Sequence, residues 1–160
     1  MATDAGREEP VDPDVDVHVP EQRAELLRTH GAVLLVIALG GGLGALSRYG
    51  IAQLLPTEPG RFPWGTFTAN ALGCLLIGVL MVLVSEVFRA HPLVRPLLGV
   101  GFLGGFTTFS TYAVETGALL RPGSVPIALL YLVGTPVVAL LAVLAGVAAT
   151  RAAVRGGGAR

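Results

Sequence analysis

Four long runs of apolar residues decide most of what this chain can become. They cover roughly residues 31–55, 64–88, 94–120 and 124–150. A helix needs about 20 apolar residues to cross a bilayer, and each run is long enough. Short turn-forming segments join them: PTEPGRFP at 56–63, RAHP at 89–92 and RPGS at 121–124. This reads as an all-α membrane protein with four transmembrane helices. Composition agrees. Apolar residues make up 52 % of the chain and charged residues 14 %, too few charges to wet the surface of a soluble domain of this size.

The ends differ in character. The stretch MATDAGREEPVDPDVDVHVPEQRAE is acidic and Pro-rich, so residues 1–28 are assigned to a disordered tail. Residues 29–151 form the membrane domain, and 152–160 an Arg/Gly-rich tail. Four spans put both termini on one side. Eight arginines fall there (Arg7, Arg23, Arg28, Arg89, Arg95, Arg151, Arg155 and Arg160), against Arg48, Arg61 and Arg121 on the other. The excess of positive charge places both termini in the cytoplasm and the protein in the plasma membrane.

Several function classes are disfavoured. A net formal charge of zero gives no footprint for nucleic acid. The single Cys74 rules out an internal disulfide framework and reads as a small buried residue. His18, His30 and His91 are scattered and make no metal cluster. No set of His, Cys or carboxylate residues converges in the sequence, so an enzyme is not expected.

The polar residues inside the spans carry the functional signal. The first span holds GGGLGALSRYG at 40–50. Its glycines do not fit a dinucleotide fingerprint, and no strand precedes them. Gly40 and Gly44 form a small-xxx-small pair for close helix packing. Arg48 either snorkels to the interface or draws anions into a vestibule. The second span holds GTFTANALGCLLIG at 65–78. Gly65, Ala69 and Gly73 make a packing stripe, and Thr66, Asn70 and Cys74 lie beside it. A buried Asn70 amide needs a partner, either a neighbouring group or a permeating species.

The third span contains GFLGGFTTFSTYAVE at 101–115, with three glycines and four small hydroxyls from Ser and Thr. Gly104-Gly105 weakens the helix, and Thr107 and Thr108 offer its backbone other hydrogen bonds. A helix broken near its middle is expected there. Irregular backbone at membrane depth is tolerated only when buried in protein or lining a cavity. Beyond the break Phe109 and Tyr112 share a face, flanked by Ser110 and Thr111. Aromatic rings have positive edges that suit an anion, and hydroxyls can replace its water. Glu115 reads as a structural partner, with an arginine as one candidate. In the fourth span Tyr131 and Thr135 are four apart on one face, a signal that ordinary interhelical hydrogen bonds also explain.

Taken together, GGGLGALSRY, GTFTANALGC and GFLGGFTTFSTYAVE, in successive spans, resemble the CrcB/Fluc family of fluoride channels. The resemblance covers about residues 31–150. It implies an antiparallel dimer with two fluoride pores and a structural sodium ion at its centre, with no energy source needed for passive export. By position, Gly104 and Thr107 would give sodium their backbone carbonyls. Phe109 would touch fluoride with its ring edge. Tyr112 stands where a second Phe is usual, and its hydroxyl is the feature expected to donate. Asn70 and Thr66 would line the pore, Ser110 and Thr111 match a track of hydroxyls, Arg48 a vestibule arginine and Tyr131 a pore tyrosine. Thr135 stands where Ser is common.

Two other kinds of protein share the four-span pattern. A small dual-topology multidrug exporter also has four spans, but it needs a carboxylate in the first span, and residues 31–55 contain none. A non-conducting structural subunit of a heterodimer is a further reading, resting on Tyr112 and Thr135. The partner in the lipid bilayer is thus a second copy, or a related chain of opposite orientation, which the arginine asymmetry favours.

Overall fold

The computed structural model describes residues 20–87 and 91–157. The chain divides into two units, Met1–Ala32 and Val33–Arg160. Residues 1–19 of the assigned tail lie outside the described residues. From Pro20 onward the chain is helical, as the start of α1 (Pro20–Leu54). The helix thus takes in the last nine residues, 20–28, of the stretch assigned to the tail. Proline is well placed in a first turn, and the residues after it, EQRAELLR, are good helix formers.

In the second unit, α2 (Trp64–Val82) continues as a π-helical turn, Leu83–Val87. The third span opens with a π-helical stretch, Arg95–Leu103, followed by the short α3 (Gly104–Phe106) and then α4 (Ser110–Leu119). The last helix, α5, runs Val125–Gly157. It thus extends to Gly157, into the segment 152–160 assigned to a tail, whose last three residues lie outside the described residues. Hydropathy fades at Arg151, but Ala and Arg sustain a helix without it. Among the described residues, four helical spans are long and apolar enough to cross a membrane: Gly31–Leu54, Trp64–Val87, Arg95–Leu119 and Val125–Gly156. The protein is a multi-pass membrane protein. Gly60 and Gly123 take the left-handed backbone of the connecting turns, with φ of 77° and 91°.

Small residues set the packing. A Cβ on Gly40 would collide with the Leu97 carbonyl, and one on Gly44 with the Phe102 carbonyl. The first span therefore lies with its backbone directly against the third. The second and fourth spans pack in the same way, Gly78 against the Val143 carbonyl and Gly146 against the Leu75 carbonyl. In lipid, where burying apolar surface gains nothing, such contact is what joins helices. The larger apolar side chains point outward instead: Leu39, Leu43, Leu130, Leu140 and Leu144 are all exposed. The buried core is small and built around Ala69, Ala128, Phe106 and Tyr131.

At one end of the bundle Phe62, Trp64, Phe67 and Tyr131 form an edge-to-face cluster, with Phe62 ring centroids 5.3 Å from Phe67 and 5.2 Å from Tyr131. At the other end the Arg151 Nε donates to Glu86 Oε1 at 3.0 Å, joining α5 to the end of the second span.

Candidate functional site

The backbone of the third span is the centre of the site. Thr107 is extended, with φ −87° and ψ 160°, and helical winding resumes at Ser110. The hydrogen bonds a continuous helix would make across this point go elsewhere. The Thr108 N–H donates to Asn70 Oδ1 at 2.8 Å, not to the Gly104 carbonyl four residues back. The Thr111 N–H donates to Thr108 Oγ1 at 3.2 Å, not to the Thr107 carbonyl. The Gly105 carbonyl accepts Arg48 Nε at 3.2 Å. Each side chain that intervenes is polar, as irregular backbone at membrane depth requires. The result is that the carbonyls of Gly104 and Thr107 are both released from their helical donors.

Asn70 is the main brace. Besides accepting from Thr108 N–H, its Nδ2 donates to the Thr108 carbonyl at 2.9 Å. A side-chain amide carries two N–H groups, so one remains for another acceptor. Thr107 holds the other flank: its hydroxyl and its own N–H both donate to the Leu103 carbonyl at 3.0 Å. The methyl of Thr107 fills the space where a Cβ on Gly73 would sit, so only glycine fits at that point of α2. The sequence marks Thr108 only as a residue that weakens the helix. Its hydroxyl also contacts Thr111 Oγ1 at 3.1 Å and Ser110 Oγ at 3.3 Å, so it organises the first turn of α4.

Beside this backbone lies a cavity of about 350 Å³, lined by Asn70, Cys74, Thr107, Phe109, Tyr112 and Thr135 among others. Four residues singled out in the sequence as pore groups therefore meet in one place: Asn70, Phe109, Tyr112 and Thr135. Phe109, one of the lining residues, is 79 % exposed. Its ring centroid is 5.6 Å from that of Tyr112. Thr135 is only 6 % exposed, and among the described residues its Oγ1 is the buried side-chain polar atom with no hydrogen-bond partner. A buried hydroxyl without a partner is costly, and Thr135 is one of the residues that line the cavity. Tyr112 does donate through its hydroxyl, but to the Leu132 carbonyl at 2.6 Å.

Thr66 and Tyr131 are placed elsewhere, around Glu115. The Thr66 hydroxyl donates to Glu115 Oε1 at 2.9 Å and the buried Tyr131 hydroxyl to Oε2 at 2.7 Å. Among the described residues no arginine pairs with Glu115; hydroxyls take the place of the arginine that the sequence suggested. Glu115 also borders a second hollow of about 290 Å³, shared with Glu58, Arg61 and Arg121 in the loops at that end. Ser110 is exposed and Thr111 half-buried on α4. Arg48 is half-buried and ties the first span to the third at Gly105. Sequence reasoning missed Pro136, which also lines the main cavity, and named Glu115 as a structural partner without its two hydroxyl donors. The signal for Pro136 was present: a proline inside an apolar span frees the carbonyl four residues earlier.

Comparison with known proteins gives a consistent answer. The family described as CrcB-like protein, Camphor Resistance (CrcB), matches residues 35–147. A protein of Nocardia farcinica named fluoride-specific ion channel FluC 2 is 58 % identical over 120 residues, covering 75 % of this chain and 86 % of its own. A Streptomyces coelicolor protein named fluoride-specific ion channel FluC 1 is 55 % identical, covering 78 % and 81 %. A Hahella chejuensis protein named fluoride-specific ion channel FluC is 43 % identical, covering 74 % and 94 %. The matched region contains the Asn70 brace, the extended Thr107 and the cavity around Thr135, and the chain belongs to the CrcB/FluC family.

Proposed function

We propose that the chain is a fluoride-selective channel that lets fluoride leave the cytoplasm passively. The observation that carries this reading is the cavity that Asn70, Phe109, Tyr112 and Thr135 line together, beside a buried Thr135 Oγ1 that has no hydrogen-bond partner. Fluoride is small and strongly hydrated. Removing its water in a low-dielectric site is very costly unless polar groups replace it. Thr135 Oγ1 and the second Asn70 N–H are neutral donors that do so without a fixed positive charge to trap the ion. Phe109 offers the positive edge of its ring. The Tyr112 hydroxyl is engaged with Leu132, so Tyr112 contributes its ring. Thr66, Tyr131, Ser110 and Thr111 extend the path on either side of the cavity. With both termini cytoplasmic, an inside-negative potential drives the anion out at about 2.3 kcal/mol per charge per 100 mV.

Sodium is proposed as a structural ion. The fit rests on the donor set: two released carbonyls, Gly104 and Thr107, three residues apart, in a span where hard oxygen ligands suit a hard cation. An antiparallel partner would bring a second pair of the same carbonyls, and the ion would supply charge balance between them. The partner is a second copy or a related chain. The arginine distribution, eight against three, favours a chain that inserts mostly one way and pairs with a relative of opposite bias.

The test is efflux from liposomes containing the purified chain and sodium, with fluoride measured against chloride. Fast fluoride-selective efflux is expected. Silence when the chain is alone and also when it is co-expressed with an opposite-bias relative would overturn the channel reading. Cysteine labelling at termini and loops tests the orientation; equal labelling from both sides of the membrane would refute one-way insertion.

A further inference from the structure

Pro136 lies inside α5. Proline has no N–H, so the carbonyl of Leu132, four residues earlier, loses its helical donor. At membrane depth that carbonyl has no bulk water to turn to. The Tyr112 hydroxyl, carried by α4, donates to it at 2.6 Å. Tyr112 is otherwise buried, with its ring centroid 5.1 Å from Tyr131 and 5.6 Å from Phe109. Tyr112, Thr135 and Pro136 all line the main cavity.

We propose that the Tyr112 hydroxyl is the replacement donor for the N–H that Pro136 lacks, and that this bond positions the cavity wall for an anion. Left bare, the Leu132 carbonyl would be an unpaired acceptor at membrane depth, one helical turn before Thr135 and Pro136, which line the cavity. Bonded to Tyr112, it is neutralised, and the bond fixes the aromatic ring next to Phe109. A tyrosine at 112 and a proline at 136 are thus two halves of one device. Phenylalanine, the residue the family resemblance makes usual at 112, would keep the ring and leave the carbonyl unpaired. Tyr112 is here a positioning residue, and the conduction half of the inference rests on the channel reading above.

The experiment is a double-mutant cycle on the full-length protein with two readouts, fluoride efflux from liposomes and the thermal unfolding midpoint in detergent. Tyr112→Phe in the wild-type background is expected to lower efflux roughly tenfold and to lower the midpoint, as befits an orphaned buried acceptor. Pro136→Ala restores the missing N–H. In that background Tyr112→Phe is expected to change efflux by less than about twofold and to leave the midpoint nearly unmoved, because Leu132 again has a backbone donor. A deficit of equal size in both backgrounds, or none in either, would overturn the proposal. Pro136→Leu restores the same N–H and replaces the alanine variant if that one does not assemble. A wild-type chain that unfolds cooperatively but passes no fluoride, both alone and with an opposite-bias relative, would overturn the channel reading and the conduction half with it. The melting cycle would still decide whether the two residues are coupled.

Discussion

Asn70 holds Thr108 by both of its backbone groups, donating to the carbonyl at 2.9 Å and accepting the N–H at 2.8 Å. One side chain from the second span thus replaces two hydrogen bonds that the third span has given up. The arrangement resembles a strand pairing compressed into one residue. It depends on an amide, since only a group with a donor and an acceptor side by side can serve both atoms.

The first prediction follows from that geometry. Asn70→Ala leaves the N–H and the carbonyl of Thr108 without partners in the membrane, at a cost on the order of 3 kcal/mol. Asn70→Asp keeps the acceptor but sets a carboxylate against a carbonyl. Both variants are expected to lower the thermal unfolding midpoint in detergent and to reduce fluoride flux, while Asn70→Gln falls between them and the wild type. An unchanged midpoint in Asn70→Ala would show that the brace is dispensable.

Glycines of the first span give an internal control. A methyl on Gly44 would strike the Phe102 carbonyl, whereas a methyl on Gly42 meets nothing within 4 Å. Gly44→Ala is expected to block assembly or cost about 1–3 kcal/mol through overpacking. Gly42→Ala is expected to be neutral or stabilising by up to about 1 kcal/mol, since alanine suits a helix better than glycine. Size-exclusion profiles and melting curves of the two variants separate the cases; similar behaviour would contradict the packing of the first span on the third.

Glu115 is held by two hydroxyls, Thr66 and Tyr131. Tyr131→Phe removes one donor and leaves a partly buried carboxylate oxygen bare, an expected loss of about 1–3 kcal/mol. Glu115→Gln retains a carbonyl oxygen for one hydroxyl and offers N–H to the other, so the Tyr131 hydroxyl must rotate to accept. Pairing the two substitutions should cost less than the sum of each alone. Additive losses in the melting midpoint would mean that the two residues act separately.

Sodium removal tests the cation reading. Purification in a large organic cation instead of sodium is expected to lower the midpoint and to shift the protein from dimer toward monomer, with sodium restoring both. Indifference to the cation would remove Gly104 and Thr107 from any metal site.

Much of this was legible in the sequence, for reasons that differ by residue. Gly40 and Gly44 were readable as a contact because four-residue spacing puts them on one helix face. That Asn70 needs a partner was equally plain, since a buried amide always does. Which partner it takes was not, because Asn70 and Thr108 are brought together by the placing of two spans and not by local spacing. The same limit explains Glu115: a carboxylate suggests an arginine, and only the packing of α4 against Thr66 and Tyr131 puts hydroxyls there first. The hydroxyl of Tyr112 was readable as a donor, but its acceptor follows from Pro136, twenty-four positions later on another helix. At the ends, a hydropathy boundary marks where lipid contact stops. Helix winding in α1 and α5 outlasts it, because backbone hydrogen bonds do not need lipid.

Phe109 gives the sharpest separation of conduction from folding. At 79 % exposure its side chain supports little of the subunit's own packing. Phe109→Ile retains an apolar side chain of similar reach but removes the ring and its positive edge. The subunit is therefore expected to fold, and its melting midpoint to stay within a few degrees of wild type, because a surface substitution of this kind changes stability by about 0.5 kcal/mol or less. Fluoride efflux is expected to fall to background. Replacing the ring with another aromatic, as in Phe109→Tyr, should retain part of the flux. Undiminished efflux in Phe109→Ile would remove the ring edge from the pathway and leave Thr135 and Asn70 as the groups that meet the ion.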